Sequence, residues 1–111
     1  MRVTVINPDK AIGVGGEFFL NLPFTLDPSI HAIQWYDTWG EVEYVVRLVD
    51  QKPFKPVNET ITSFEPFSYL LDVWQVAKDE AVAQEAARLA ALAAFEQEQA
   101  AASQQTSETQ P

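Results

Sequence analysis

The sequence predicts an α+β protein: a small antiparallel β-sheet head, a long C-terminal alanine-rich helix and a disordered tail. Three observations predict it. Twelve of the thirteen aromatic residues lie before position 75, and only Phe95 lies beyond it. Positions 75–102 hold twelve alanines among Gln, Glu and a few Leu and Val, residue types that favour helix. Positions 103–111 are Gln, Ser, Thr, Glu and Pro, too polar to bury a face. The expected organisation is a head over 1–75, a projecting helical arm over 76–102 and a tail over 103–111.

In the head, Arg2 to Ile6 is short and β-branched, and Asn7-Pro8-Asp9-Lys10 signals a turn. Ala11 to Val14 returns as a second strand. Gly15-Gly16 permits a bulge or tight bend before the apolar run Phe18-Phe19-Leu20. The prolines between Pro23 and Ser29 favour an irregular connection. Ile30 to Trp35 reads as a strand with His31, Ile33 and Trp35 on one side and Ile30, Ala32 and Gln34 on the other. Tyr36 to Gly40 is a loop ending in a glycine suited to positive φ. Glu41 to Val49 alternates most clearly, with Val42, Tyr44, Val46 and Leu48 on one face and Glu41, Glu43 and Arg47 beginning the other. Such alternation, with one wet face, fits an antiparallel hairpin. Asp50 to Pro56 reads as a surface connection.

Ser63 has the character of a helix N-cap, with Glu65 in the first turn. Phe67, Leu70, Leu71 and Trp74 follow at helical spacing and should press the helix onto the sheet. Beyond Trp74 the apolar face narrows to Val82, Ala86, Leu89 and Ala93, with Leu92 and Phe95 beside it. A helix running from Phe64 to Ala102 would be roughly 58 Å long at ~1.5 Å per residue. A small head cannot cover that length, so the distal half is expected to project or to pair with something.

Composition then excludes whole classes of function. Sixteen acidic residues against seven basic give a net charge of -9. That balance argues against binding nucleic acid through its phosphates and against docking on an anionic membrane. The absence of cysteine removes disulfides, thiolate metal sites and a cysteine nucleophile, and one histidine removes a multi-histidine metal site. No apolar run is long enough to span a membrane, and the opening residues do not read as a signal peptide. Neither a metal nor another cofactor is expected, and the chain does not read as an enzyme. His31 has no serine or carboxylate placed beside it by any motif, so it reads as a packing residue. Glu41 and Glu43 have the spacing of paired carboxylates, yet a solvated sheet face accounts for them. Gly13-x-Gly15-Gly16 lacks the context of a phosphate loop and reads as a turn. Asn58-Glu59-Thr60 matches a glycosylation pattern that carries no meaning without secretion.

The aromatic cluster Trp35-Tyr36-x-x-Trp39 is the more specific signal. Three large rings within five residues cannot all be interior in a tight hairpin. Trp35 suits the core, and Trp39 divides between an interface anchor and ordinary local packing. The weak heptad of the arm offers little burial because most of its positions are alanine. It leaves room for weak self-association, with partner-supplied packing favoured.

The segment Asp27-Pro28-Ser29-Ile30-His31-Ala32-Ile33-Gln34-Trp35, followed by Gly40-Glu41-Val42-Glu43-Tyr44 and by Leu70-Leu71-Asp72-Val73-Trp74, resembles a group of small proteins of tailed bacteriophages encoded beside tail or tail-fibre genes. The resemblance covers residues 1–75. After Tyr44 the sequence departs from it: the group has a short Asp-Gly-type turn, whereas here the strand pattern continues through Val49. The resemblance implies a tail-fibre assembly chaperone or tail accessory protein, without a catalytic site, that binds a phage tail or tail-fibre protein in the host cytoplasm. The alternatives are a structural tail component that stays in the virion and an acidic DNA mimic. The residues expected to bind the partner are Trp39 and Tyr36 in the loop and Val82, Leu89, Leu92 and Phe95 in the arm.

Overall fold

The computed structural model describes residues 1–108, and side chains as far as Ser103. Six strands form one antiparallel sheet: β1 (Arg2–Ile6), β2 (Ala11–Val14), β3 (Glu17–Phe19), β4 (Ile30–Tyr36), β5 (Gly40–Tyr44) and, from beyond a separate hairpin, Glu59–Ile61. That hairpin consists of β6 (Arg47–Val49) and β7 (Lys52–Phe54), so Glu59–Ile61 is β8. The sheet order is β3-β2-β1-β4-β5-β8. A 3-10 turn, Glu65–Phe67, leads into the helix α1, Tyr69–Glu108. The fold is thus α+β, an antiparallel sheet followed by one long helix. The chain divides into two compact units, 1–77 and 78–111.

Period-two alternation puts Val3 and Val5 of β1, Ile12 of β2, Ile33 and Trp35 of β4 and Val42 of β5 on one face, all buried. Val5 pairs with Ile12 on one side and Ile33 on the other, and Ile33 pairs with Val42, so the core is a continuous cross-strand row. Phe64 and Leu70 join this cluster from the C-terminal side, with Phe67, Leu71, Val73 and Trp74 packed against it. The connection over 20–28 is more ordered than its prolines suggest. Leu22, Phe24 and Leu26 point alternately into the core, making an extended strap that belongs to no sheet. Buried Asn7 ties the strap down: its Nδ2 donates to the Asp27 and Ile30 carbonyls at 3.2 and 2.9 Å, and its Oδ1 accepts from Lys10 Nζ at 2.8 Å.

Several expectations are corrected. Glu41 to Val49 is not one strand. β5 stops at Tyr44, and Arg47–Val49 turns away to pair with Lys52–Phe54 inside the stretch expected to be a plain connection. The cause is the end of the partner strand. β4 begins at Ile30, and the Val45 N–H donates instead to the Ser29 carbonyl at 2.8 Å, leaving nothing for residues 47–49 to extend. Val46 and Leu48 are consequently exposed, not part of the face of Val42. A register shift between Ile30 and Ala32 breaks the alternation of β4, so Ile30 is buried and His31 only half so. Gly40 does not adopt a positive φ; the loop's positive φ falls on Asp37 instead, at 90°. Ser63 Oγ does accept a backbone hydrogen bond, from Glu65 N–H at 3.2 Å, but it serves the 3-10 turn, and the α-helix begins at Tyr69. With three residues per turn, the 3-10 segment brings Phe64 and Phe67 to one side, their centroids 6.0 Å apart. The expected tail, 103–111, overlaps the helix at its start, and 109–111 lie outside the described residues.

Candidate protein-binding surface

The two faces of the sheet differ because one carries the core and the other has only its own side chains to cover it. Cross-strand partners share a face, so the outer face carries the row Phe18–Gly13–Thr4–Gln34–Glu41–Thr60. Thr4 Oγ1 donates to Gln34 Oε1 at 2.8 Å, and the Phe18 ring lies over the bare Cα of Gly13. Arg2, Thr4, Gly13, Gly15, Gly16 and Phe18 line a shallow depression on this face.

At one end of that face stand two of the residues expected to bind a partner. Tyr36 closes β4 and its N–H donates to the Trp39 carbonyl at 2.7 Å, which folds Asp37 and Thr38 into a two-residue turn. The turn sets the Tyr36 and Trp39 rings 4.8 Å apart, tilted by 36°. The Arg2 guanidinium sits 5.5 Å above the Tyr36 ring. Trp39 is 45% exposed, whereas Trp35 is 7% exposed, so the sheet sends the two tryptophans to opposite fates. Gly40 makes this possible by close approach: a Cβ there would lie 2.3 Å from the Gln34 carbonyl oxygen. A cation, a half-buried ring and an exposed indole in contact form an aromatic edge of the kind that anchors protein interfaces.

The second unit carries the remaining expected residues. Val82, Leu89, Leu92 and Phe95 are all exposed on α1. Val82 and Leu89 stand seven residues apart, on one side, while Leu92 and Phe95 step around the helix at intervals of three. Arg88 donates to both carboxylate oxygens of Glu85, at 2.7 and 3.0 Å.

Three titratable groups of the head are held by neighbouring residues. Lys55 Nζ donates to Glu43 Oε1 at 2.9 Å and holds that carboxyl below its ordinary range. Tyr44 donates its hydroxyl to Glu59, which raises its pKa and ties β5 to β8. Asp27 is lowered by the Ser29 backbone N–H and hydroxyl, both donating to Oδ1. Among the described residues, no cluster of three or more His, Asp or Glu could hold a metal ion, and no helix is long and apolar enough to cross a membrane.

Sequence reasoning missed the β6–β7 hairpin, where Leu48, Val49 and Phe54 are exposed, as are Val46 and Val57 beside it; Leu48 reaches 72% and Val57 89%. The Arg47 guanidinium lies 5.4 Å from the Phe54 ring centre. The one local signal was Asp50, a turn-tolerant residue; Gln51 beside it gave none, which is why the hairpin was not legible. Comparison with family models, curated proteins and solved structures finds no match.

Proposed function

We propose that the protein is a phage tail-fibre assembly chaperone or tail accessory protein, acting by binding a tail or tail-fibre protein and not by catalysis. The observation that carries the reading is the Tyr36–Trp39 edge, a half-buried ring against an exposed indole beside Arg2, in a chain whose helix also exposes Val82, Leu89, Leu92 and Phe95. Exposed large apolar side chains on an acidic chain suit a factor that covers sticky surfaces of an unassembled partner until assembly buries them. The family resemblance of segments 27–35, 40–44 and 70–74 supplies the partner class. The helix binds in the helix-in-groove manner, and the excess of acid steers it toward a basic or neutral surface.

The test coexpresses the neighbouring fibre protein with wild type, with Trp39→Ala and with Leu89→Asp/Leu92→Asp. Soluble trimeric fibre is expected with wild type and reduced with each variant. Equal yields with all three, or with no accessory protein, would refute the reading.

A further inference from the structure

The strands β6 and β7 pair only with each other, so each has an outer edge that the main sheet does not cover. Their turn is Asp50-Gln51, with φ of 52° and 63°, the two-residue arrangement in which both central residues are left-handed. In such a hairpin the residues flanking the turn, Val49 and Lys52, exchange backbone hydrogen bonds. The next pair, Leu48 and Pro53, directs its backbone groups outward. On β7 the outward donor is missing, because position 53 is proline. On β6 the outward N–H and C=O of Leu48 are both present. One edge is closed and the other is open.

We propose that the open edge of β6 pairs antiparallel with β6 of a second copy of this chain, about a two-fold axis at Leu48, joining two hairpins into a four-stranded sheet. The sequence of the edge is self-complementary in that register. Leu48, 72% exposed, meets its own copy, and Arg47 meets Val49. No like charges stand directly opposite; the two Arg47 side chains stand diagonally, each over the Phe54 ring of its own hairpin. Pro53 then stands on both outer edges of the joined sheet, so addition stops at two copies and no filament grows. A two-stranded ribbon is marginal in water, and doubling it supplies the neighbours that it lacks. This association uses none of the residues assigned above to the tail partner and does not rest on that reading.

Sedimentation equilibrium of the full chain should show a monomer–dimer equilibrium. Leu48→Lys, which sets like charges opposite each other on the axis, should lower the association constant by about tenfold or more with unchanged far-UV circular dichroism. The chain has no cysteine, so Leu48→Cys places a single thiol at the axis. There a hydrogen-bonded antiparallel pair holds Cα atoms about 5.5 Å apart, within disulfide range. Mild oxidation should yield a covalent dimer from Leu48→Cys far faster than from Leu20→Cys, whose site is also exposed. A wild type that stays monomeric at every concentration would overturn the proposal. So would a Leu48→Lys variant that dimerises like wild type, or equal cross-linking of the two cysteine variants.

Discussion

Replacing either of two glycines by alanine adds the same methyl group to the same sheet, yet the outcomes should diverge. At Gly40 the new Cβ would stand 2.3 Å from the Gln34 carbonyl oxygen, 2.9 Å from Trp35 Cε3 and 3.1 Å from Trp35 Cα. Two of those three atoms are backbone of the neighbouring strand, locked by the β4–β5 and β1–β4 ladders. Restoring an ordinary contact requires moving a central strand by about 1 Å. Overpacking of that kind costs about 1–3 kcal/mol, against a gain of ~0.5 kcal/mol from a less flexible unfolded chain. Gly40→Ala should therefore destabilise by about 2 kcal/mol, a large share of the ~3–5 kcal/mol available to a head of this size. At Gly13 the Cβ would meet Phe18 Cε1, Cδ1 and Cζ at 2.5–2.6 Å, all atoms of one ring that is already 48% exposed. That ring can swing away, so Gly13→Ala should change stability by less than about 0.5 kcal/mol. Urea titration of the full chain, followed by tryptophan fluorescence, reads both. Equal losses for the two variants, or an unchanged midpoint for Gly40→Ala, would refute the reasoning.

Trp74→Ala should cost about 2–3 kcal/mol, because the indole packs 5.8 Å from the Phe19 ring and its Nε1–H donates to the Glu17 carbonyl at 2.9 Å. Trp39→Ala should cost under about 1 kcal/mol, and equal urea midpoints would contradict the contrast. Gln51→Gly relieves a left-handed residue at φ 63° and should slow amide exchange in Lys52–Phe54 by stabilising the hairpin by up to ~1 kcal/mol. Lys55 holds Glu43 below its unfolded pKa, so their pair stabilises above the ordinary glutamate range and loses that contribution as pH falls through the lowered value. The stability difference between wild type and Lys55→Met should thus shrink from pH 7 to pH 3; it should also be small, because both groups are exposed. Truncation after Val82 should leave cooperative unfolding intact, measured by near-UV circular dichroism, since the core cluster lies within 1–77.

The parts of the fold that were legible are those where local chemistry and tertiary pairing agree. Val3 and Val5 alternate, Asn7 to Lys10 turn, Ile12 returns, and Gly15-Gly16 provide the two positive φ values, 58° and 88°, that the next turn needs. The alanine-rich stretch is helical because nothing in it competes. The failure at Val46 and Leu48 has a different origin. Alternation reports which way side chains point, and it says nothing about where the neighbouring strand ends. β4 begins at Ile30, and that limit is encoded fourteen residues before Tyr44, where β5 stops. The strap was hidden for a similar reason: Leu22, Phe24 and Leu26 alternate through Pro23 without any ladder to mark them as extended. In the candidate surface, the exposure of Trp39 was legible from the crowding of three rings into a tight turn. The cation at Arg2 was not, because it arrives through the pairing of Arg2 with Tyr36 across the whole first third of the chain.

The strand order β3-β2-β1-β4-β5-β8 also dictates a folding chronology. β1 with β2, β2 with β3, and β4 with β5 are neighbours in sequence as well as in space, so each hairpin can form on its own within microseconds. Only the β1–β4 ladder joins these two meanders, and it must close the whole stretch from Asn7 to Ser29 before Val5 meets Ile33. That central seam is where the barrier belongs. Variants at Val5 or Ile33 should slow refolding, whereas variants in the β2–β3 turn should act chiefly on the unfolding rate.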